Sequence, residues 1–139
     1  MIDILIVEDN KELADLLCDF LRAENYTVSV AESGEKALQL YQRYGARLLV
    51  LDVMLPGMDG FAVCSKIREE SNTPILIVSA KTAKDDKLAG LLAGADDYIE
   101  KPYDIDIMLA KIAGIFKRRY AQDEVVSGNL RLNRESRTV

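Results

Sequence analysis

Residues 48–60 read Leu-Leu-Val-Leu-Asp-Val-Met-Leu-Pro-Gly-Met-Asp-Gly, and this stretch decides the fold. The four apolar residues at 48–51 leave no side for solvent, which predicts a strand buried on both faces of a sheet. Pro56, Gly57 and Gly60 then indicate a loop. Asp52 therefore lies at the carboxyl end of a predicted central strand, the edge at which open α/β sheets bind ligands.

Similar apolar runs alternate with helical patterns along the chain. Strands are predicted at residues 4–7, 27–31, 48–51, 75–78 and 97–99. The first helix is predicted from the spacing of Leu13, Leu16, Leu17, Phe20 and Leu21. Further helices are predicted between Ser33 and Gly45 and at residues 61–70, 84–93 and 104–119. Five alternations of strand and helix predict a parallel sheet with helices on both faces, an α/β fold.

The chain is predicted to contain one complete domain and part of another. With 139 residues it is long enough for one core, which we assign to residues 1–120. A polar run at 121–124 predicts a linker over residues 121–127. Alternating Leu130 and Leu132 predict that residues 128–139 are the start of a second domain, cut short.

Composition excludes several classes of function. The chain has no His, which excludes a Ser-His-Asp triad and the usual zinc sites, so any imidazole must come from a partner. The net charge of −5 argues against nucleic-acid binding by this segment. We see no leader peptide and no apolar stretch long enough for a bilayer, so we predict a cytoplasmic protein without membrane contact. Cys18 and Cys64 lie among apolar helix residues and are predicted to be reduced core thiols.

Polar side chains follow four of the predicted strands. They are Glu8 and Asp9 after the first strand, Asp52 after the third, Ser79 after the fourth and Lys101 after the fifth. Because parallel strands end at the same edge of a sheet, we expect these side chains to converge on one site.

The charges of this set predict a bound cation. Carboxylates about 4 Å apart repel by about 4 kcal/mol at an effective dielectric near 20, which Lys101 alone cannot offset for three acids. Either some acids are protonated or a cation binds, and hard oxygen ligands favour Mg²⁺. A phosphoryl group requires a cation, an ammonium and a hydroxyl donor, which Mg²⁺ with Asp9, Lys101 and Ser79 would supply. Asp52 is then the predicted nucleophile, since carboxylates form aspartyl-phosphates.

Taken together, these motifs resemble the receiver domain of two-component response regulators. The resemblance covers residues 1–120 and is carried by residues 8–9, Asp52 with residues 56–60, residues 79–80 and residues 101–102. Residues 94–99, Gly-Ala-Asp-Asp-Tyr-Ile, resemble the OmpR/PhoB subfamily more narrowly. Residues 128–132 resemble the opening strand of that subfamily's winged-helix DNA-binding domain, so DNA would be bound only by a domain that is missing here.

The resemblance implies a doubly wound, CheY-like sheet in the order 2-1-3-4-5. It implies that Asp52 accepts a phosphoryl group from a phosphohistidine of a sensor histidine kinase. Asp9, Asp52 and the main-chain carbonyl of Met54 would hold Mg²⁺, with Glu8 acting partly through water. Lys101, joined to Pro102 by a cis bond, would pair with the phosphoryl group. Ser79 would shift toward that group and Tyr98 would turn inward behind it, a population shift between two states.

The resemblance also implies a homodimer formed on phosphorylation through the fourth helix, fifth strand and fifth helix. The charged positions of that face are Lys87, Asp96, Asp97, Lys111 and Arg118. Where the subfamily usually carries an acid in the fifth helix, this chain has Ile107. Lys111, where Arg is usual, would lose bidentate geometry. Surface ion pairs are worth about 0–1 kcal/mol each, so we expect weaker dimerisation rather than none.

Other functions for the same residues remain open from the sequence. A stand-alone receiver would act through protein contacts only. An Mg²⁺-dependent phosphohydrolase commonly carries a second Asp two residues after the nucleophile, where this chain has Met54. A flavin carrier of the same topology would have Ser, Thr and Gly in its first loop, where residues 8–11 read Glu-Asp-Asn-Lys. Asp52 as a loop acid without chemistry is the remaining alternative.

Overall fold

The computed structural model describes residues 1–53, 58, 60–79 and 94–128, with side chains described as far as Tyr120. The strands are β1 (Ile2–Val7), β2 (Val28–Ala31), β3 (Ala46–Asp52), β4 (Ile75–Ser79) and β5 (Asp97–Glu100). The helices are α1 (Lys11–Ala23), α2 (Gly34–Tyr44), α3 (Gly60–Glu70) and a C-terminal helix (Ile105–Gly128). The helix predicted at 84–93 lies outside the described residues. Residues 1–102 form one compact unit that contains the sheet, and the C-terminal helix belongs to a second unit.

The five strands form one parallel sheet in the order β2-β1-β3-β4-β5, which confirms the predicted fold class. The three central strands are almost entirely buried, as their continuous apolar sequences predict. The edge strands β2 and β5 each have four residues and bury fewer of them. Because all strands run the same way, their carboxyl ends lie along one edge of the sheet.

Helix α1 begins and ends where the sequence predicts, but it buries a different face. The Asn10 side chain caps its start by accepting from the backbone N–H of Leu13, at 3.1 Å, and Asn25 follows its end with a φ of 72°. Leu16 and Phe20, predicted to be core residues, are 46% and 41% exposed. The buried residues are Ala14, Leu17, Cys18 and Leu21.

The prediction for Leu16 and Phe20 was therefore wrong. Both side chains belong to the stripe that large apolar residues define in the sequence. The helix instead buries the stripe that starts one residue later, at Ala14. Small side chains such as Ala14 and Cys18 let a helix approach its sheet closely, and a pattern of large residues does not reveal that preference. Cys18 and Cys64 are both buried, as predicted, and no disulfide joins them.

Helix α2 confirms its predicted caps. Ser33 accepts from the backbone N–H of Lys36 at 3.2 Å, and Gly45 ends the helix with a φ of 70°. At Gly34 an added Cβ would lie 2.7 Å from Val63 Cγ2, so the first turns of α2 and α3 pack with no room for a side chain. This contact brings the start of α3 close to α2.

The C-terminal helix is longer than predicted. It buries Met108, Ile112 and Ile115 as expected, but it continues beyond Arg119 to Gly128. Residues 121–127, predicted as a linker, are therefore helical. The polar residues there are mostly adequate helix formers and no Pro or Gly interrupts them before Gly128, so polarity alone was a poor signal of a helix end. The assignment of residues 121–127 and 128–139 to a linker and a second domain stays a prediction.

Among the helices of the described residues, none combines the length and the apolar character needed to cross a membrane. The cytoplasmic location predicted from the sequence stays a prediction.

Candidate functional site

Four of the predicted site residues lie together at the carboxyl edge of the sheet. Glu8 and Asp9 follow β1 and Asp52 ends β3, and their carboxylate oxygens lie within 4.8 Å of one another. The ammonium of Lys101, which follows β5, donates to Glu8 Oε1 at 3.0 Å and to Asp52 Oδ2 at 2.9 Å. One cation thus bridges two acids that come from different strands.

The two acids that Lys101 bridges are buried, so water does little to stabilise their charges. Glu8 and Asp52 are each only 5% exposed, while Asp9 is exposed. The second oxygen of Glu8 accepts from the backbone N–H of Asn10 at 3.1 Å. Burial raises the pKa of Glu8 despite the hydrogen bonds from Lys101 and Asn10, and the charge of Asp52 adds to the rise.

The ammonium of Lys101 is stabilised in its charged form. Burial acts to lower the pKa of Lys101, but its hydrogen bonds to Asp52 and Glu8 outweigh that effect and raise the pKa. Lys101 is therefore a permanent positive charge at neutral pH, held between the two buried acids.

Gly60 allows the chain to pass close behind Asp52. Its backbone N–H donates to Val53 O at 3.1 Å, and an added Cβ would lie 2.5 Å from Val53 Cα and 2.6 Å from Asp52 O. Both neighbours are backbone atoms, so no side chain could be accommodated without moving the end of β3. From the sequence alone, Gly60 is predicted only as a residue of the loop after Asp52. Its place at the start of the helix that follows Asp52 was the available signal.

Ser79 and Lys101 are joined through the backbone of the edge pair β4 and β5. Ser79 is fully buried and follows Val78, the register partner of Asp52. The backbone N–H of Lys101 donates to Ser79 O at 2.8 Å, and the Lys101–Pro102 bond is cis, as predicted. Tyr98, the predicted switch residue, is partly buried in β5 opposite Ile77. Ser79 thus lies next to the strand position that carries Asp52.

The residues of the predicted dimer face differ in their exposure, and their role in a dimer stays a prediction. Lys87, a predicted dimer residue, lies outside the described residues. So does Met54, the predicted metal ligand. Asp97 is partly buried and accepts through Oδ1 from the backbone N–H of Tyr98 at 2.8 Å. On the C-terminal helix, Lys111 is partly buried, Arg118 is exposed and Ile107 is 54% exposed.

Asp96 has a role that sequence analysis did not predict. Its Oδ1 accepts from Arg68 Nη2 at 2.8 Å and from the backbone N–H of Ile75 at 2.9 Å. Arg68 lies in the last turn of α3 and carried no sequence signal beyond its charge.

A groove of about 340 Å³ opens beside the acids. Its lining comprises Glu8, Asp9, Lys11, Ala14, Asp15, Val30, Glu32 and Lys36. Glu8 and Asp9 line this groove, so it borders the part of the acidic cluster that follows β1.

The side chains at this edge suit a divalent cation. The potential ligands are oxygens of Glu8, Asp9 and Asp52, which is the donor type that Mg²⁺ prefers. Among the described residues, Lys101 donates to two of these three acids, and a divalent ion would offset further negative charge when all three are ionised. The donor set therefore fits Mg²⁺.

Residues 4–113 match the family model described as the response regulator receiver domain. The chain belongs to this family. The predicted recognition is thereby confirmed, and with it the coarse function of a receiver domain of a two-component response regulator. Response regulators act with sensor histidine kinases, and their receiver domains act as phosphoacceptor switches.

Curated relatives agree with the assignment to the response regulator receiver family. The chain is 45% identical over 123 residues to the response regulator ArlR of Staphylococcus aureus, covering 88% of this chain and 56% of that protein. It is 41% identical over 124 residues to the sensory transduction protein RegX3 of Mycolicibacterium smegmatis, covering 89% of this chain and 54% of that protein. The chain thus spans about half the length of these relatives.

Solved structures show the same fold. A two-component response regulator from Clostridium difficile superposes with a TM-score of 0.83 at 28% identity, covering 86% of this chain and 99% of that one. The BeF3-activated receiver domain of Klebsiella pneumoniae RstA superposes with a TM-score of 0.79 at 30% identity, covering 83% and 98%. These neighbours support the receiver fold for the part of the chain that carries the acids.

Proposed function

We propose that this receiver is a phosphorylation switch in which Asp52 accepts a phosphoryl group from a phosphohistidine of a sensor histidine kinase. The observation that carries the proposal is the bridge from Lys101 to the buried carboxylates of Asp52 and Glu8, beside Asp9. A carboxylate oxygen of Asp52 attacks phosphorus, the phosphorus–nitrogen bond of the donor breaks, and the imidazole leaves with the bonding electrons. The chain contains no His, so the imidazole belongs to the kinase.

The residues around Asp52 have separate roles in this proposal. Mg²⁺ bound by Asp9, Asp52 and the main-chain carbonyl of Met54, with Glu8 acting partly through water, would neutralise charge on the phosphoryl oxygens. Lys101 keeps its ammonium at Asp52 and pairs with the incoming phosphoryl oxygens. Ser79 donates its hydroxyl hydrogen to another of those oxygens.

The proposed output is a change of state rather than catalysis on a substrate. The phosphoryl group draws Ser79 toward Asp52 and Tyr98 turns inward behind it, which shifts the population toward an active state. That state dimerises through Lys87, Asp96, Asp97, Lys111 and Arg118. Since the curated relatives are about twice as long as the matched region, we further propose that a C-terminal DNA-binding domain carries the transcriptional output. The receiver itself performs at most its own phosphorylation and dephosphorylation.

Phosphorylation of Asp52 is tested by intact mass. The protein is incubated with Mg²⁺ and acetyl phosphate, and we expect a gain of one phosphoryl group that Asp52→Asn abolishes. The control is Asp19→Asn, because Asp19 is an exposed acid of α1 that does not line the groove beside Glu8 and Asp9. A gain of one phosphoryl mass that persists in Asp52→Asn would refute the proposal.

Dimerisation is tested separately by sedimentation with and without a beryllofluoride mimic. We expect the mimic to raise the mass toward a dimer, Arg118→Asp to prevent the rise, and Asp97→Arg combined with Arg118→Asp to restore part of it. A mass unchanged by the mimic at high micromolar concentration would rule out the dimer while leaving phosphorylation of Asp52 intact.

A further inference from the structure

The position of Lys101 depends on the register of a strand that burial does not hold well. Strand β5 has four residues at an edge of the sheet, and Ile99 is its one buried residue. A slip by one residue would move the strand by about 3.3 Å and turn every side chain to the other face. The bonds of 2.9 and 3.0 Å from Lys101 to Asp52 and Glu8 would not survive such a shift.

The guanidinium of Arg68 holds the opposite end of this edge, where β4 and β5 begin. It donates from Nε to Gly94 O at 2.8 Å, from Nη1 to Thr73 O at 2.6 Å, and from Nη2 to Asp96 Oδ1 at 2.8 Å. A longer bond of 3.4 Å joins Nη1 to Ser71 O. Arg68 therefore ties the residues that precede β5 to the residues that precede β4.

Asp96 extends the ladder between the two strands by one position. Its backbone N–H donates to Ile75 O at 2.8 Å, and its side-chain Oδ1 accepts from the backbone N–H of Ile75 at 2.9 Å. The pair of Ile75 and Asp96 immediately precedes the register pair Leu76 and Asp97. The carboxylate thus takes the place of a ladder carbonyl, and Arg68 orients that carboxylate.

Gly94 leaves room for this arrangement. An added Cβ at Gly94 would lie 2.7 Å from Arg68 Cγ and 3.0 Å from Arg68 Cδ, and its φ is +101°. The side chain of Arg68 therefore crosses over a residue that has no side chain of its own. The network is only partly exposed, with 20% of the Arg68 side chain and 28% of the Asp96 side chain accessible.

We infer that Arg68 is a positioning residue for Lys101: through Asp96 it sets the register of β5 on β4 and so places the Lys101 ammonium on Asp52. Asp96, which the family resemblance assigns to the dimer face, has this internal role in addition. The consequence for phosphoryl transfer rests on the proposed function of Asp52, but the consequence for strand register does not.

The test compares Arg68→Gln with the matched variant Arg22→Gln. Arg22 lies in the last turn of α1 and donates to Val28 O of the other edge strand at 3.1 Å, so both variants remove an arginine that holds an edge strand. Hydrogen exchange is read at the backbone N–H of Lys101, which bonds to Ser79 O. We expect protection to fall about tenfold or more in Arg68→Gln, as loss of charge-assisted hydrogen bonds implies, and to change little in Arg22→Gln.

The second reading is the rate at which acetyl phosphate and Mg²⁺ label the protein, which we expect Arg68→Gln to slow and Arg22→Gln to spare. If Arg68→Gln does not fold, Asp96→Asn replaces it under the same criteria, because that change keeps the size of the side chain. Unchanged Lys101 protection, or equal loss in both arginine variants, would overturn the inference. The two readings can also separate. If only Arg68→Gln loses protection and acetyl phosphate labels none of the proteins, the inference about strand register stands and the proposed phosphorylation is refuted.

Discussion

The ammonium of Lys101 lies 2.9 Å from Asp52 Oδ2, although the two residues are 49 positions apart in the chain. The same ammonium lies 3.0 Å from Glu8 Oε1. Three strands of one sheet therefore meet at a single cation. Since Asp52 and Glu8 are both buried, we expect the stability of this end of the sheet to depend on the positive charge that Lys101 places between them.

Replacement of Lys101 by Met would leave Glu8 and Asp52 buried without their shared cation. Because Lys101 is 22% exposed, we expect a loss of about 2–3 kcal/mol in the free energy of unfolding, below the ~3–5 kcal/mol of fully buried pairs. Urea denaturation in EDTA measures the loss, and added Mg²⁺ should recover part of it. Lys11→Met is the control, since its exposed pair with Asp15 should matter by less than about 1 kcal/mol. Equal losses in both variants would contradict the bridge.

Gly60→Ala would push a methyl group into the backbone behind Asp52. With Val53 Cα at 2.5 Å and Asp52 O at 2.6 Å, the end of β3 must move, and we expect destabilisation of about 1–3 kcal/mol with slower labelling by acetyl phosphate. Gly114→Ala is the matched control, because its nearest contact is the flexible tip of Arg118 at 3.3 Å. Alanine there should stabilise the helix by about 0.5–1 kcal/mol. An unchanged free energy of unfolding in Gly60→Ala would contradict this prediction and show that the backbone at the end of β3 can relax.

Helix α1 offers a direct comparison of two adjacent leucines. Leu17 is 3% exposed and Leu16 is 46% exposed. We expect Leu17→Ala to cost about 2–4 kcal/mol through lost burial and a cavity, and Leu16→Ala to cost less than about 1 kcal/mol. Thermal and urea unfolding of both variants measure the difference. The reverse order would mean that α1 packs on the face that carries Leu16 and Phe20.

Cys64 should make stability depend on alkaline pH. Burial raises the pKa of the Cys64 thiol; Arg68 opposes the rise and Asp96 adds to it. A group whose pKa is higher in the folded state contributes stability that is complete below its unfolded pKa, about 8.5 for a thiol. That contribution is lost as the pH rises through the folded value. The free energy of unfolding should therefore fall more steeply above pH ~8.5 in the native protein than in Cys64→Ala. Parallel curves for the two proteins would contradict the shift.

Much of the fold could be predicted because the signals are local. Four apolar residues in a row at 48–51 are enough to predict a buried strand, and the caps Ser33 and Gly45 are chemical features of single residues. The polar residues that end the strands converge because parallel strands end at the same edge of the sheet. Asp52 and Lys101 could therefore be assigned to one site without knowing any distance.

The sequence prediction was wrong at two places, and each error has its own physical reason. Leu16 and Phe20 follow the helical period as well as Leu17 and Leu21 do, and only packing on the sheet selects between the two stripes. The C-terminal helix passes its predicted end because a polar run with good helix propensity needs no buried face to continue.

By itself, therefore, the sequence determined the order of the elements, the parallel sheet and the set of side chains at its carboxyl edge. The hydrophobic period and the polar residues at strand ends are properties of short segments, so no tertiary contact is needed to recognise them. The tertiary structure alone decided that Lys101 bridges Asp52 and Glu8, that Gly60 lies against the Asp52 backbone, and that Arg68 reaches Asp96 across 28 residues. Those relationships depend on atoms brought within about 3 Å by the register of different strands, and register is a property of the folded chain rather than of any one segment.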